Sequence, residues 1–387
     1  MPKVATVNPH PTPVERLTPA ADRDRVDDDL AEFFDETRRG YAANPHLAPL
    51  FDRLAEFVLR GGKRLRPRLC LASYRIMTGR YEAPPRPVAL AAASLEVFHA
   101  FMLVHDDLID GSVVRRDRAT LHEAIRLGAD RPDDPAQRKR SCDLGLIAGD
   151  LLFALGMRLI ARSGLDAAAA GRANRLLADM LFETGLGEAL DVLYDGCPLE
   201  QLSEEQLVES YLRKTARYSV SGPLVLGALI AGTPGPASRA LDCFGDLLGF
   251  GFQVQNDLDA LDEDPDFGDH PDLDGGKRTY VLWSTYQRLG DRGRRDLEST
   301  LAEPVGPGRR RRLLALIAGS GAVEACRARV DAVRVDAVDV LRESPLDTAQ
   351  RRQFVALTEL FRAPRAHAIA DFSAALPIEA ETPAASG

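Results

Sequence analysis

The sequence predicts an all-α protein, a large single-domain helical bundle. Two observations support this fold class. Alanine- and leucine-rich stretches of roughly 15 to 25 residues, separated by glycine, proline or acidic loops, are typical of helices. Alternating β-branched runs bounded by turn residues, the pattern of strands, are missing, so no sheet is expected. The clearest predicted helices are residues 27–41, 89–110, 143–163, 167–191, 203–231, 238–261 and 309–341.

The chain is expected to consist of one ordered domain between two disordered tails. Residues 1–24 carry five prolines and little apolar periodicity, and residues 376–387 are similar in character. Such composition is typical of disorder. Residues 25–375 are assigned to the helical domain. With 387 residues, 45% of them hydrophobic, the chain is long enough to bury a large core.

The charge balance and the cysteines exclude several classes of protein. The chain has 58 acidic and 49 basic residues, a net charge of −9, which is the opposite of a non-specific nucleic-acid binder. Its five cysteines are scattered without CxxC pairs, which favours a reducing cytoplasm over a disulfide framework or a zinc site. Residues 1–13 lack the apolar segment of a secretory signal, and no apolar run approaches the ~18 residues of a membrane span. We therefore expect a cytoplasmic protein without a membrane span or a nucleic-acid partner.

An acidic motif, HDDLID, ends the predicted helix 89–110. Asp106 and Asp110 are four residues apart and so share one helical face, where like charges repel each other. Carboxylates in this arrangement suit Mg²⁺, which is often held by one or two carboxylates and the phosphates of a substrate. The alternative is an acidic helix end exposed to water. Residues 97–104 are nearly all apolar, so the aspartates follow a helix that is expected to be buried. This favours the metal site over the exposed helix end.

Basic residues lie on both sides of this motif in the sequence. Arg115 and Arg116 follow it, and guanidinium groups can hold phosphate oxygens bidentately. Upstream, two glycines precede Lys63 and Arg66, which could hold a second anionic group. Each basic patch taken alone is better explained as a solvated surface, and this is the only interpretation given to the arginine run 309–312.

His99 provides a geometric check on the acidic motif. It precedes Asp106 by seven residues and Asp110 by eleven, so the three side chains fall within roughly 40° of each other around the helix axis. A lone histidine in an apolar helix is more often a core residue. Here its direction favours a role in the site.

These motifs resemble those of the trans-prenyl (polyprenyl) diphosphate synthases. Residues 61–67 are similar to the GGKRxRP motif of that family, and residues 106–122 to its first aspartate-rich motif with the RRGxPTxH extension. Residues 148–150 resemble its AGD stretch, residues 187–191 its GQxxD stretch with Glu188 in place of glutamine, and Lys214-Thr215 its KT pair. Phe252-Gln253 opens the second aspartate motif, and residues 276–279 match GKRT. The matches follow the family's order over residues 61–280.

The resemblance implies an isoprenoid synthase-like bundle around a central apolar cavity. It implies head-to-tail condensation of isopentenyl diphosphate with an allylic diphosphate through a Mg²⁺-assisted carbocation, by a homodimer. The metal site, with two or three Mg²⁺ ions, is assigned to Asp106, Asp110, Asn256 and Asp257, with Asp107 in support. The allylic diphosphate is assigned to Arg115, Lys214 and Thr215, and isopentenyl diphosphate to Lys63, Arg66, His99 and Arg116. Gln253 is assigned to catalysis and substrate binding, and Lys277 to catalysis.

The second aspartate motif departs from the family pattern FQxxDDxxD. Its first and last aspartates are replaced by Asn256 and Ala260, and a lysine expected in the next loop is missing. Asn256, Ala260 and Asp264 follow the spacing of the NDxxSxxxE motif of class I terpene cyclases. A cyclase, or a non-catalytic subunit of a synthase, is therefore an alternative. The retained isopentenyl diphosphate residues favour elongation.

Bulky residues ahead of the first motif are candidates for limiting product length. They are Phe98, Phe101 and Met102. The family pattern points to Phe101 and resembles short-chain synthases that make the C20 product, with C15 as the next candidate. The helical wheel does not support Phe101 independently: Met102 shares the Asp106 face, whereas Phe101 lies about 140° away. Ordinary core packing of these side chains is the alternative.

Overall fold

The computed structural model describes residues 12–115, 117–233, 235–262 and 271–361. Within these ranges the chain is almost entirely helical, and the predicted all-α class is confirmed. One two-stranded antiparallel ribbon, β1 (Val114–Arg115) and β2 (Arg118–Ala119), is a small exception to the expectation of no sheet. It is short enough to act as a turn that returns the chain toward the acidic motif.

The helices have the following bounds. They are α1 (Pro13–Leu17), α2 (Ala20–Gly40), α3 (Leu47–Leu59), α4 (Leu65–Thr78), α5 (Arg86–Ile109), α6 (Leu121–Leu127), α7 (Pro135–Ala161), α8 (Ala167–Tyr194), α9 (Glu204–Tyr211), α10 (Gly222–Ile230), α11 (Gly235–Asp259), α12 (Pro271–Gly275), α13 (Tyr280–Arg288), α14 (Asp291–Leu301), α15 (Pro307–Ser320), α16 (Ala322–Glu343) and α17 (Thr348–Leu357). A π-helix, Leu212–Ser221, joins α9 to α10. Short 3₁₀ turns are Leu199–Gln201, Ala260–Asp262 and Thr358–Phe361.

The chain forms two compact units. Unit 1 comprises Met1–Met180, Ser219–Gly245 and Val338–Phe361, and unit 2 comprises Leu181–Tyr218, Asp246–Ala337 and Arg362–Gly387. Each unit is assembled from separate stretches of sequence, so no single cut in the chain separates them. The boundaries 25–375 for one domain stay a prediction.

Unit 1 is built around the apolar helix α5, which packs against α7 and α4. Helix α10 lies close to α4 because Gly227 has no side chain: a Cβ there would lie 2.1 Å from the carbonyl oxygen of Cys70. The hydroxyl of Ser73 donates to the carbonyl of Leu224 at 2.6 Å across the same contact. Close backbone approach through a glycine thus sets the packing of these two helices.

Unit 2 has its own apolar core, which gathers side chains of α9, α11, α13, α15 and α16. Gly249 of α11 lets the helix approach the π-helix, since a Cβ there would lie 2.5 Å from Cα of Ala216. A wide π turn is often found at functional positions. Here it carries Lys214 and Thr215.

The predicted N-terminal tail is partly wrong. Residues 13–17 and 20–24 are helical: a capping box between Thr12 and Glu15 starts α1, and α2 begins at Ala20. Asp22 is buried and accepts two hydrogen bonds of 2.6 Å from the guanidinium of Arg75. A paired buried charge and the buried Leu17 hold this segment in place, which proline content alone did not indicate. Residues 1–11 and 376–387 lie outside the described residues.

Two further expectations about the C-terminal half are corrected. The predicted helix 309–341 is two helices, because Gly321, with φ of 74°, ends α15 in the left-handed conformation. The arginine run 309–312 is not simply a solvated surface. Arg309 and Arg310 are buried: Arg310 pairs with the carboxylate of Asp274, and Arg309 donates to its backbone carbonyl at 2.9 Å.

Helices α5 and α7 are long and apolar enough to cross a membrane, judged by length and composition alone. Inside the protein, 67% of the apolar window of α5 and 44% of that of α7 are buried. The predicted absence of a spanning segment is therefore not confirmed, although the burial of α5 is that of a core helix.

The contact between α4 and α10 generates a prediction on stability. Gly227→Ala should lower the free energy of unfolding by about 1 to 3 kcal/mol, because the new Cβ overlaps the Cys70 carbonyl. Gly171→Ala in α8 is the matched control: a Cβ there meets nothing within 4 Å, so alanine should raise stability by up to ~1 kcal/mol. Urea unfolding measures both. Equal effects of the two substitutions would contradict the packing argument.

Candidate active site

In unit 1, the acidic motif lies at the C-terminal end of α5. Asp106 and Asp110 are half-exposed, whereas Asp107 is completely buried. Burial raises the pKa of Asp107 to about 6; the Arg115 guanidinium opposes this, while Asp106 and Asp110 add to it. The two half-exposed carboxylates, one helical turn apart, supply the oxygen ligands that a divalent cation such as Mg²⁺ prefers. The donor set of this motif therefore fits a metal ion.

Arg115 is brought back to the motif by the β1–β2 ribbon. Its Nε donates to Asp107 at 2.6 Å and its Nη2 donates to Asp106 at 2.7 Å. Burial alone would lower the pKa of Arg115, but Asp107 and Asp106 raise the pKa above its usual value. The hydroxyl of Thr120 anchors the base of the ribbon by donating to the carbonyl of Ser112 at 3.0 Å. Arg115 thus stays a permanent cation beside the carboxylates.

A pocket of about 180 Å³ lies in the same unit. Its lining includes the glycine turn before α4, the middle of α5, and the ribbon, through Gly61, Gly62, Arg64, Glu96, His99 and Arg115. Lys63 is exposed, and Arg66 is half-exposed and donates to the hydroxyl of Ser219 at 2.7 Å. The structure therefore places the glycine turn, His99 and Arg115 around one pocket, whereas sequence analysis assigned Arg115 to the allylic diphosphate and His99 to isopentenyl diphosphate. Arg116 lies outside the described residues.

In unit 2, two lysines meet two carboxylates. Lys214 lies 3.1 Å from a carboxylate oxygen of Glu188 and 2.6 Å from one of Asp191, and the Nζ of Lys277 lies 3.9 Å from Asp191. Gly187 permits this contact, because a Cβ there would lie 2.2 Å from the backbone nitrogen of Lys214. Sequence analysis matched this segment to a family motif but assigned no role to Glu188 or Asp191.

A chain of hydrogen bonds connects Thr215 to the second motif. The hydroxyl of Thr215 donates to Gln253 at 2.9 Å, and the Gln253 amide donates to one oxygen of Asp257 at 2.9 Å. Tyr211 donates to the other oxygen of Asp257 and accepts from the backbone N–H of Tyr280 at 2.7 Å. Burial, and then the Asp257 charge, raise the pKa of Tyr211 well above its ordinary value, so the phenol stays protonated. Sequence analysis missed Tyr211, although a tyrosine inside a predicted buried helix calls for a polar partner.

In the part of the second motif that the structure describes, the one aspartate of the expected pair is buried and already hydrogen-bonded. Asp257 is 4% exposed and both of its oxygens accept hydrogen bonds, while Asn256 is exposed. The described residues contain no cluster of three or more metal-binding side chains. Asp264, part of the cyclase-like spacing, lies outside them. Asp257 is therefore held as an anchor for Gln253, and Asn256 is the position that faces solvent.

The three candidate chain-length residues face two directions. Phe98 is buried over Gly156 of α7, where a Cβ would lie 2.7 Å from the ring. Phe101 packs edge-on against Phe153 of α7, with ring centroids 5.5 Å apart. Met102 is half-buried and, by its spacing of three and four residues from His99 and Asp106, shares their face of α5. Two of the candidates therefore contact α7, and the third shares the face of the site residues.

The fold is all-α, and the acidic motif of unit 1 places carboxylates beside the cation of Arg115. The polyprenyl synthetase family model matches residues 48–311. The chain is 27% identical over 325 residues to a geranylfarnesyl diphosphate synthase of Aeropyrum pernix, covering 79% of this chain and 92% of the relative. It is 29% identical over 244 residues to a geranylgeranyl diphosphate synthase of Sulfolobus acidocaldarius, covering 62% and 67%.

A solved structure is similar over most of the chain. It is a geranylgeranyl pyrophosphate synthase of Corynebacterium glutamicum, complexed with isoprenyl diphosphate and magnesium. The TM-score is 0.79 at 27% identity, and the match covers 87% of this chain and 97% of that one.

Because the family model spans more than half of its length, the chain belongs to the polyprenyl synthetase family. It is a prenyltransferase that elongates prenyl chains, its substrates are isoprenoid diphosphates, and divalent metal is used. The predicted family, fold and type of reaction are confirmed. The cyclase and the non-catalytic subunit are not favoured.

The hydrogen bonds of Tyr211 generate a second prediction. Tyr211→Phe should lower the free energy of unfolding by about 1 to 3 kcal/mol, because a buried oxygen of Asp257 and the N–H of Tyr280 lose their partner. Tyr286→Phe is the control, since Tyr286 belongs to the same core and its hydroxyl has no hydrogen-bond partner among the described residues. Urea unfolding of both variants tests this. A loss as large for Tyr286→Phe as for Tyr211→Phe would contradict it.

Proposed function

We propose that this enzyme condenses isopentenyl diphosphate with an allylic diphosphate head to tail and releases a short-chain prenyl diphosphate. The observation that carries the proposal is the unit 1 pocket, where the glycine turn, His99 and Arg115 meet beside the acidic end of α5. An anion-binding turn next to paired carboxylates suits a diphosphate with its metal ions. The Corynebacterium glutamicum enzyme, solved with isoprenyl diphosphate and magnesium, supports this assignment.

The metal ions are proposed to be two or three Mg²⁺. Asp106 and Asp110 hold them through their half-exposed carboxylates, and Asp107 supports the cluster from its buried position by fixing Arg115. When bound, Mg²⁺ neutralises the charge that develops on the departing diphosphate. Asn256 can contribute an amide oxygen without charge. Asp257, with both oxygens occupied, serves as an anchor in our proposal instead of the metal ligand predicted from the motif.

We assign the two substrates to different groups of residues. Arg115, Lys214 and Thr215 hold the allylic diphosphate, with Gln253 orienting Thr215 and Lys277 adding positive charge. Isopentenyl diphosphate is assigned to Lys63, Arg66, His99 and Arg116. Before substrate binds, Glu188 and Asp191 together balance the charges of Lys214 and Lys277, so an incoming diphosphate competes with carboxylates for the two lysines.

The residues assigned here account for the chemistry without a protein nucleophile. Cations around the leaving diphosphate lower the barrier to ionisation of the allylic C–O bond, because they stabilise charge where it develops. The double bond of isopentenyl diphosphate then attacks the allylic cation. Loss of a proton, which the released diphosphate can accept, completes the new chain.

We further propose a homodimer in the cytoplasm. On α8, Phe182, Leu186 and Leu193 are exposed and lie on one face by their spacing, and an exposed apolar stripe of this kind suits contact with a second copy. All five cysteines are free thiols, which fits a reducing compartment.

The proposed reaction is tested by incubating purified protein and Mg²⁺ with geranyl or farnesyl diphosphate, with and without labelled isopentenyl diphosphate. We expect the label in a longer linear prenyl diphosphate, identified by mass, and none when EDTA removes the metal. A cyclic hydrocarbon or alcohol formed without isopentenyl diphosphate would instead identify a cyclase. No product in any sample would identify a non-catalytic subunit.

Product length gives a further prediction. We expect the wild type to stop at C20, with C15 as the next candidate. Met102→Ala and Phe101→Ala should lengthen the product by at least one isoprene unit.

Phe98→Ala should mainly lower the free energy of unfolding, by about 3 to 5 kcal/mol, because its ring fills the space over Gly156. Phe51→Ala is the control. It removes a buried ring of α3 that stacks on Tyr41, the residue that follows α2, and it should leave product length unchanged. Mass spectrometry of the products distinguishes these outcomes. An unchanged product in both Met102→Ala and Phe101→Ala would show that these two residues do not limit chain length.

A further inference from the structure

We infer that Arg64 is a positioning residue for the isopentenyl diphosphate site. Through a buried ion pair with Glu96 of α5 and a half-buried one with Asp27 of α2, it fixes the glycine turn that presents Lys63 and ties this turn to the helix that carries His99. The inference rests on the proposed function and deepens it, because it names the groups that shape one of the two substrate sites.

The side chain of Arg64 is fully occupied by the protein. Its Nε donates to Asp27 at 2.7 Å, its Nη1 to Glu96 at 2.9 Å and its Nη2 to the carbonyl of Val58 at 2.9 Å. Only 4% of the side chain is exposed. A guanidinium whose three nitrogens already donate inside the protein acts on the pocket through its neighbours, in contrast to the exposed Lys63.

The backbone around Arg64 needs such support. Gly61 and Gly62 have φ of 92° and 135°, and Arg64 itself has φ of 48°, in the left-handed region that non-glycine residues rarely adopt. Arg64 is also the N-cap of α4 and makes no side-chain cap hydrogen bond. Since its side chain instead bonds to α2, α3 and α5, these three contacts hold an otherwise unfavourable turn in one conformation.

Arg64 also controls charge inside the pocket. Glu96 and His99 are three residues apart on α5 and both line the pocket, together with Gly61 and Gly62. Glu96 is buried, and an unpaired carboxylate there would repel a diphosphate. The ion pair with Arg64 compensates this charge in part, because the same guanidinium also pairs with Asp27, and it sets the position of the turn relative to His99. One interaction therefore weakens a repulsion and aligns the two parts of the anion site.

The same helix provides a matched control. Arg75 of α4 is also buried and pairs with a carboxylate of α2, Asp22, at 2.6 Å. It lies about three turns further along α4 and is not among the residues that line the pocket. Asp22→Asn and Asp27→Asn thus make the same chemical change to two pairs that each join a buried arginine to an aspartate of α2; the Asp22 carboxylate is 5% exposed and that of Asp27 34%.

The experiment measures KM for isopentenyl diphosphate and for the allylic diphosphate, kcat, and the thermal unfolding midpoint for wild type, Asp27→Asn, Glu96→Gln and Asp22→Asn. We expect Asp27→Asn and Glu96→Gln to raise KM for isopentenyl diphosphate about tenfold, with KM for the allylic substrate within about twofold of wild type. Asp22→Asn should lower the unfolding midpoint and leave both KM values unchanged. Arg64→Lys, which keeps the charge but loses the fork, should show a smaller rise in KM than Arg64→Met.

Calorimetric titration with isopentenyl diphosphate alone gives a second readout that does not depend on turnover. Its Kd should weaken about tenfold in Asp27→Asn and match wild type in Asp22→Asn. Unchanged KM and Kd in Asp27→Asn and Glu96→Gln, or an equal rise in Asp22→Asn, would overturn the role of Arg64. A wild type that binds isopentenyl diphosphate but forms no elongated product would overturn the proposed reaction and leave the positioning role to be decided by the titration.

Discussion

The pairing of Asp107 with Arg115 is the interaction on which the rest of the unit 1 site depends. Asp107 lies near the end of the apolar helix α5 and is completely buried, and an unpaired carboxylate is strongly disfavoured at such a position. Its bond to Nε of Arg115 compensates for the lost hydration and leaves Nη2 of the same guanidinium to reach Asp106. The buried aspartate therefore sets the position of the cation, and the cation sets the position of the half-exposed carboxylate that we propose as a metal ligand.

Paired charges recur at several places in the part of the chain that the structure describes. Lys214 and Lys277 share Asp191 in unit 2, Arg64 is shared by Asp27 and Glu96 in unit 1, and Arg310 binds Asp274 in the segment before Lys277. Neighbouring cations such as Lys214 and Lys277 would repel each other without these carboxylates. In our proposal, a diphosphate with its metal ions replaces part of that compensation at the two lysines.

The altered second aspartate motif acquires a physical role from its neighbours. Asn256 and Ala260 remove two negative charges, and Asp257, the remaining aspartate of the pair, is bonded on both oxygens. Through Gln253 it orients Thr215, which we assign to the allylic diphosphate. A motif read in sequence as a weakened metal site is thus organised in the fold as a hydrogen-bonded support, while the isopentenyl diphosphate side retains its basic residues.

The sequence by itself predicted the helical class and the reaction family, which are confirmed, and it supplied most of the candidate site residues, because helical periodicity and short motifs are local properties. It did not indicate Tyr211, the division of charges around Asp191, or the ion pairs of Arg64. Glu96, the only residue with a permanent charge between Ala89 and Val104, was an available signal for a buried pair. Only the tertiary structure decided which carboxylate meets which cation, which aspartates are buried, and that two helices, α1 and the start of α2, lie before residue 25, since each depends on contacts between residues far apart in the chain.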